Sequence, residues 1–383
     1  MQKRIRIVSI GIILIVLFVS IIILNNNNNN KHTFKKDGIL YSLSLDGKSI
    51  TSFPSKGLYK ANVSCEGADG KWLYDDWKLA IENITGDVSC DIKFETITKK
   101  YLSEYIISLD GTTQGTGQVV NENGYRYEGK NPNNYIWFNN EYWRIIGVFD
   151  SNSHGQDKNL VKIIRGEALG SLAWDKSNAN RWTTASLNSL LNGVYYNAQD
   201  GTDSGYCYDR NTAFVTNCDY TKKGIQSGYR SMIAKVTWYL GGSSSSFATA
   251  ESFYGYERGT RVYSGNPTNT TGYIGLMYPS DYGYSVLSSS CARTTNLYSY
   301  NSSSCAGASW LYGNGYEWTL TPFSSSRASM FILYNDGRLY DGMAAPSGDY
   351  YMGSGTRPVL YLDSSVYVVD GDGSLDKPYI IGM

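Results

Sequence analysis

The chain is poor in histidine and has no excess of charge of either sign. Its 383 residues contain two histidines, His32 and His154, and 34 basic side chains against 34 acidic ones. Since binding to nucleic acid relies on a basic surface, we expect no nucleic-acid partner. His154 lies in a polar run without apolar neighbours, which favours a solvated loop over the positioned base of a Ser-His-Asp or Cys-His system.

Familiar catalytic motifs are also missing. The sequence has no G-x-S-x-G elbow, no H-E-x-x-H pair and no phosphate loop. Glu317 is the best candidate for a catalytic acid, because the adjacent Trp318 could raise its pKa and glycoside hydrolysis uses such carboxyls. The alternative is a carboxylate at the edge of the core that bonds to the backbone.

One long apolar run lies at the N-terminus. Residues 7–24 carry no charge and follow three basic residues. As a helix this run would span about 27 Å, close to the hydrocarbon core of a bilayer. It predicts a signal anchor over 1–24, with the membrane as partner of 7–24 and the C-terminus outside the cell. The alternatives are a cleaved signal peptide, for which no small-residue cleavage site is present, and a buried core helix.

Six cysteines fall into three close pairs. In an extracytoplasmic chain such pairs indicate disulfide bonds, and the missing C-x-x-C spacing argues against zinc. Neighbour pairing is the preferred connectivity, although six cysteines allow others. The predicted pairs are Cys65 with Cys90, Cys207 with Cys218, and Cys291 with Cys305.

The patterns predict an α+β protein with successive segments. The Asn-rich stretch 25–36 is a linker, and period-two alternation in 37–97 predicts a small antiparallel β-sandwich stapled by a disulfide. Residues 98–120 form a connector with a short helix, and 121–383 form a larger module.

Inside the larger module, aromatic runs on both sides of Asn139-Asn140 predict a β-hairpin, followed by a third strand at 161–164. Helices are predicted at 183–194, 232–240 and 248–256 from apolar residues at helical spacing. Strands return in the C-terminal part.

Oxygen-bearing side chains alternate near the C-terminus, at Asp370, Asp372 and Asp376. Short calcium loops share this alternation, so calcium is the one cofactor suggested. An ordinary turn before a last strand at 379–381 explains the same residues.

The most informative feature of the composition is the abundance of tyrosine, with 34 residues. Tyrosine offers a large amphipathic contact area at low entropic cost, as recognition surfaces require. The alternative is that the rings pack the loops in which they lie. The predicted ligand-binding residues are Tyr282, Tyr284, Tyr298, Tyr300, Tyr312 and Tyr316.

Three short motifs carry a family resemblance: a Trp-Arg-Ile-Ile-Gly run at 143–147, a Trp-Thr-Leu-Thr-Pro run at 318–322, and Gly-Thr-Arg-Pro-Val-Leu at 355–360. They resemble Gram-positive gut-bacterial surface proteins of the domain-of-unknown-function 6273 type. The C-terminal part is also similar to C-type-lectin-like domains, including the formylglycine-generating, sulfatase-modifying group. The resemblance implies a C-type-lectin-like module, with Glu317 and Trp318 in or beside the core and Arg357 in a buried ion pair or carbonyl contacts.

These observations predict a membrane-anchored surface recognition or adhesion protein that binds glycan or protein ligands. The alternative is an extracytoplasmic enzyme, related to sulfatase-modifying factors or acting on cell-wall glycans. A third class, a purely structural envelope protein, would bind no ligand.

Overall fold

The chain divides into two compact units, Met1–Thr98 and Lys99–Met383. The computed structural model describes residues 33–36, 38–74, 76–208, 218–313, 315–343 and 354–383. These residues form a mixed α+β protein in which strands predominate, as predicted. The predicted anchor at 1–24 lies outside the described residues. In the described part, no helix is long and apolar enough to cross a membrane.

The small unit consists of strands. Their bounds are β1 Thr33–Lys36, β2 Ile39–Leu45, β3 Lys48–Ser49, β4 Tyr59–Glu66, β5 Asp69–Leu73, β6 Lys78–Glu82 and β7 Ser89–Thr96. The predicted linker 25–36 therefore ends in a strand, because Phe34 is apolar and packs in the core.

The main sheet of the small unit has the order β1-β2-β7-β4, with β3 added to β2. β2 and β7 run parallel, with Leu40 opposite Ser89 and Leu45 opposite Phe94. The expected purely antiparallel sandwich is therefore wrong. Alternation predicts which side chains face inward, but strand direction depends on which distant strands pair.

The β5–β6 hairpin contributes to the core of the small unit. Trp72 of β5 is 4% exposed, and its ring lies 4.9 Å from that of Phe94 in an edge-to-face arrangement. Phe53 and Trp77 pack around the same tryptophan at 5.0 and 5.2 Å. These rings pack together with Leu43, Val88 and Ile92 in the core of the small unit.

A disulfide between Cys65 and Cys90 joins β4 to β7. The two residues are directly opposite in the antiparallel register, with their Cα atoms 4.1 Å apart. Gly70 of β5 passes so close that a side chain there would collide with the Cys65 sulfur. The other two predicted pairs, Cys207–Cys218 and Cys291–Cys305, are also bonded.

We expect the Cys65→Ala/Cys90→Ala double variant to lower the free energy of unfolding of the small unit by about 3 kcal/mol, because it removes a constraint on the unfolded chain. Hydrogen exchange of the β4 and β7 amides measures this. The matched control is Cys291→Ala/Cys305→Ala, which removes a disulfide from the other unit. Equal acceleration of β4 and β7 exchange in both variants would contradict the prediction.

The larger unit carries the remaining elements. Its strands are β8 Lys100–Tyr101, β9 Thr113–Gln114, β10 Gly117–Asn121, β11 Tyr125–Gly129, β12 Tyr135–Phe138, β13 Glu141–Phe149, β14 Leu160–Arg165, β15 Ser171–Leu172, β16 Val236–Tyr239, β17 Asn269–Gly272, β18 Ile274–Gly275, β19 Glu317–Pro322, β20 Ser329–Leu333, β21 Leu339–Met343, β22 Ser354–Gly355, β23 Val359–Leu362, β24 Tyr367–Asp370 and β25 Tyr379–Gly382. Its α-helices are α1 Leu102–Ile107, α2 Ser151–His154, α3 Ser186–Ser189, α4 Ser227–Arg230, α5 Ala250–Glu257 and α6 Pro279–Gly283. A π-helix, Leu190–Tyr195, continues α3, and 3₁₀ turns occur at Trp182–Thr184, Leu297–Ser299 and Ala306–Ala308.

Two sheets organise this unit. The path of the larger one is β18-β23-β14-β13-β12-β25-β24-β8, and a smaller one has the order β15-β22-β19-β20-β21. β14 lies at the centre of the first, and all but its last residue are buried. Among the described strands, β21 is an edge strand of the second sheet, so no further strand covers its outer edge.

The predicted hairpin at Asn139-Asn140 is confirmed. β12 and β13 pair with Phe138 opposite Glu141, and the two asparagines have φ values of 57° and 60°. A two-residue turn of this type needs positive φ at both positions, which asparagine tolerates better than other side chains.

Two other predictions differ from the structure. Residues 232–240 contain strand β16, paired with β17, instead of a helix. Val236 fits the helical spacing of 232, 236 and 240, but it also alternates with Trp238 as the inward positions of a strand, and β-branched and aromatic residues favour the strand. Residues 99–120 are part of the larger unit, because β8 pairs with β24 and β10 pairs with β11; they do not form a separate connector.

Candidate functional site

Three of the six tyrosines predicted to bind ligand lie inside the protein. Tyr282 and Tyr300 have no exposed surface, and Tyr284 is 4% exposed. The Tyr282 hydroxyl donates to the Gly337 carbonyl at 2.8 Å, and the Tyr300 hydroxyl donates to the Gly283 carbonyl at 2.9 Å. The surface assignment of these three is therefore wrong: Tyr282 and Tyr300 fill the core and satisfy backbone carbonyls, and the buried Tyr284 hydroxyl accepts from the Asn123 side-chain amide at 2.9 Å.

Tyr298 and Tyr316 belong instead to a continuous series of partly exposed rings, which we call the aromatic ridge. Its five members, Phe247, Tyr298, Tyr340, Tyr334 and Tyr316, follow one another with centroid separations of 4.9, 5.3, 6.2 and 5.2 Å. Phe247 is 66% and Tyr340 40% exposed. Exposed apolar surface arranged in this way is typical of a recognition site.

Regular structure positions the centre of the aromatic ridge. Tyr334 and Tyr340 lie on the two sides of the β20–β21 hairpin, in which the Tyr334 N–H donates to the Arg338 carbonyl at 2.8 Å. Gly337 in the turn has φ 89°, and a side chain there would collide with Ala306. Tyr298 lies on a 3₁₀ turn that packs against β21. The rings are therefore held in place without a ligand.

The rings of the aromatic ridge are tilted relative to each other by 57° to 67°. Edge-to-face packing of this kind is favourable for aromatic pairs. Four of the five rings carry a hydroxyl, so the aromatic ridge is amphipathic along most of its length.

Charged groups border the aromatic ridge. The Arg338 guanidinium lies 5.5 Å from the centre of the Tyr298 ring and pairs with Asp336 at 2.7 Å. Beside Tyr340, Asp341 accepts a hydrogen bond from Ser246 at 2.8 Å. The hydrogen bond from Arg338 to Asp336 raises the pKa of Arg338, and burial raises the pKa of Tyr334 to about 12. These tyrosine and arginine side chains keep their protons at neutral pH.

Tyr312 lies near this surface but is held by another contact. Its ring is half-buried, and its hydroxyl donates to the Asn335 carbonyl at 2.5 Å. Tyr312 therefore supports the β20–β21 turn.

Sequence reasoning missed Phe247, Tyr334 and Tyr340. The turn signal Asp336-Gly337 between two apolar runs could have identified the hairpin and its two tyrosines. No local pattern marks Phe247, because it reaches Tyr298 only through the fold.

Glu317, the candidate catalytic acid, is occupied by Arg357. Two guanidinium nitrogens of Arg357 donate to the two carboxylate oxygens at 2.6 and 2.7 Å, and one of them also donates to the Leu311 carbonyl at 2.7 Å. Burial raises the pKa of Glu317, and the charge of Arg357 opposes this effect. This bidentate buried pair joins β19 to the start of β23 and leaves no carboxylate oxygen of Glu317 without an arginine donor.

His154, expected in a solvated loop, is fully buried at the end of α2. Its Nε2 lies 3.0 Å from the Phe149 carbonyl, and its Nδ1 accepts from the Gln156 N–H at 3.2 Å. The ring also packs edge-to-face on Tyr361 at 5.1 Å. Burial lowers the pKa of His154, so the neutral ring with both nitrogens engaged is a structural element. The polar sequence around it concealed the α2 turn, which Asp150 caps.

Asp370 is the last residue of β24, and Asp372 and Asp376 lie on the loop that joins β24 to β25. Asp372 accepts from the Ser374 N–H at 2.9 Å, and its own N–H donates to the Lys377 carbonyl at 3.0 Å. In the parts of the chain that the structure describes, no group of three or more His, Cys, Asp or Glu side chains could hold a metal ion. Asp372 and Asp376 therefore lie in a turn, and the three aspartates are not grouped as a set of metal-binding side chains.

Protein-family models, curated proteins and solved structures give no match to the chain. Its function is therefore inferred from the geometry of the described residues.

Glu128 is a second buried carboxyl with an unusual environment. It has no exposed surface, and Arg293 donates to Oε1 at 2.6 Å. Its Oε2 has no hydrogen-bond partner among the described residues. Burial is the largest cause that raises the pKa of Glu128, to about 8. A carboxyl that keeps its proton near neutral pH suits such an unpartnered oxygen, since burying an unpaired charge is costly.

For the Glu317–Arg357 pair, we expect Glu317→Gln to lower the free energy of unfolding of the larger unit by about 3 kcal/mol, because it leaves the buried Arg357 charge without its counter-ion. Glu317→Gln/Arg357→Met should recover part of this loss. Urea unfolding measures both variants, and a double variant less stable than the single one would contradict the pairing.

For Glu128, the folded chain keeps a proton between pH 4.5 and about 8 that the unfolded chain releases. The free energy of unfolding should therefore decrease as pH rises through this window, by on the order of 3 kcal/mol from this group. Urea unfolding at about pH 5 and about pH 8 measures this decrease, and Glu128→Gln should remove the part that comes from Glu128. Glu104→Gln, at an exposed acid of α1, is the control and should show the full decrease. If the free energy of unfolding changes with pH equally in wild type and both variants, the decrease does not come from Glu128.

Proposed function

We propose that the protein is an extracytoplasmic recognition protein that binds glycans through the aromatic ridge. The observation that carries the proposal is the uninterrupted series of five rings, from Phe247 to Tyr316, on the surface of the larger unit. Because these amphipathic rings are already ordered, the protein loses little conformational entropy when a ligand binds.

The composition of the aromatic ridge supports a saccharide as ligand. A sugar ring has C–H groups on its faces and hydroxyls around its edge. Phe247 and Tyr340 offer exposed ring surface to the faces. Arg338, Asp336 and Asp341 lie beside them with groups that donate to or accept from hydroxyls.

The three disulfides support an extracytoplasmic location, since such bonds persist in oxidising compartments. With the apolar run 7–24 as membrane anchor and 25–32 as spacer, the two units would be displayed outside the cell membrane. The resemblance to surface proteins with a C-type-lectin-like module agrees with this proposal and stays a prediction.

The enzymatic alternative has less support. It depended on Glu317, and both oxygens of that carboxyl are bonded to Arg357. Among the described residues, His154 also has both ring nitrogens engaged.

We expect Tyr340→Ala and Phe247→Ala each to weaken glycan binding about tenfold, equivalent to about 1.4 kcal/mol, because each removes an exposed ring that contacts the sugar. The full chain in detergent is screened on a glycan array, and the dissociation constant of the best ligand is then measured for each variant. Tyr142→Ala is the control, since Tyr142 is similarly exposed (42%) but lies on β13. Equal loss in the control, or binding to protein ligands alone, would overturn the proposal.

A further inference from the structure

Lys162 and Asp281 form a buried contact that no recognition function requires. Lys162 lies on the central strand β14 and Asp281 on α6, and their side chains are 1% and 2% exposed. The Lys162 Nζ lies 2.5 Å from Oδ2 of Asp281. An amine and a carboxyl are thus held together at a fixed distance inside the core.

Aromatic rings enclose the amine. Four ring centres lie within 6 Å of the Lys162 Nζ: Tyr278 at 4.4 Å, Phe149 and Tyr361 at 5.7 Å, and Trp238 at 5.9 Å. All four of these residues are buried. Such a lining excludes bulk water from the contact, so a product formed there would be protected from hydrolysis.

The Asp281 carboxyl is fixed and polarised by two other donors. Arg126 donates to Oδ1 at 3.1 Å, and the Tyr278 N–H donates to Oδ2 at 2.9 Å. Donors placed on both oxygens orient the carboxyl carbon and stabilise negative charge that develops on oxygen during nucleophilic attack.

Further charged groups lie around the pair. Glu257, with no exposed surface, accepts from the N–H of Ser280, the residue before Asp281, at 2.9 Å, and pairs with Arg258 at 3.1 Å. Burial raises the pKa of Glu257 to about 7 and lowers that of Lys162 to about 8. Burial by itself would raise the pKa of Asp281, but the charges of Lys162 and Arg126 and the hydrogen bonds to the carboxylate outweigh it, and this pKa is lowered. The site thus holds more positive than negative charge in a dry environment.

An amide bond between Lys162 and Asp281 would remove the desolvation cost of these two buried charges. Two buried ions carry a desolvation cost that their mutual attraction offsets only in part. A buried amide has no net charge, and the Arg126 donor can still satisfy its oxygen. Condensation therefore removes the charges of Lys162 and Asp281 together, while the Arg126 guanidinium keeps its hydrogen bonds to the Glu122 and Asn123 carbonyls.

We propose that Lys162 and Asp281 condense without an external catalyst to an amide that crosslinks β14 to α6. A proton first moves from the Lys162 ammonium to the Asp281 carboxylate along their contact, which gives a neutral amine and a neutral acid. The Nζ lone pair attacks Cγ, the bond from Cγ to one carboxyl oxygen breaks, and that oxygen leaves as water with two protons from Nζ and the acid. No oxidant, reductant or co-reactant is needed.

The experiment is intact mass spectrometry of the full chain after the disulfides are reduced and alkylated. The wild-type chain should be lighter than its sequence by the mass of one water molecule. In a tryptic digest, the peptide that contains Lys162 should be joined to the peptide that contains Asp281. A wild-type mass equal to that of the sequence, with both peptides recovered separately, would overturn the proposal; the digest decides this for wild type whether or not any variant folds.

Variants and an internal control sharpen the result. Lys162→Met should have the full mass of its sequence, while Asp281→Asn should lose ammonia instead of water and so reach the same final mass as wild type. Lys78 and Asp76 form an equally simple pair at 2.7 Å whose side chains are 37% and 59% exposed. That pair should stay uncondensed in the same digest, and a crosslink there as well would show that burial plays no part.

Discussion

The larger unit depends on one buried side chain, that of Asp281, which lies between two buried basic residues. It binds Arg126 of β11 at 3.1 Å and Lys162 of β14 at 2.5 Å, and so connects two strands of the main sheet with α6. Arg126 and Lys162 also lie against the same ring, that of Phe149. Because charge in a dry core is stable only when it is paired, this contact constrains how the aromatic rings around it can pack.

The abundance of tyrosine serves two different purposes. Inside the protein, Tyr282 and Tyr300 fill the core and donate to the backbone carbonyls of Gly337, in the β20–β21 turn, and of Gly283, at the end of α6. On the surface, Tyr298 and Tyr340 pack against each other while part of each ring meets solvent. The same side chain suits both environments, because an apolar ring and one hydroxyl can be buried or half-exposed at little cost. Composition therefore does not distinguish the rings that fill the core from those that lie on the surface.

Local patterns were most reliable where neighbouring residues decide the structure. The β12–β13 hairpin follows from Asn139-Asn140 and the aromatic runs beside them, since the turn geometry is set by two residues. The cysteine spacing likewise predicted all three disulfides. Prediction failed at residues 232–240, where helical and strand spacing coincide, and at His154, whose burial depends on Tyr361 from a distant strand.

For the candidate site, the chain alone indicated the chemistry: tyrosine-rich loops, few catalytic groups and an acid next to a tryptophan. It also indicated inward and outward positions along single strands, because side-chain alternation is a property of the local backbone. Only the tertiary structure decided which tyrosines face solvent, how Phe247 joins Tyr298, and that Glu317 is paired with Arg357. These outcomes depend on residues up to 51 positions apart in the ridge (298 − 247) and 40 in the ion pair, so no local pattern could encode them.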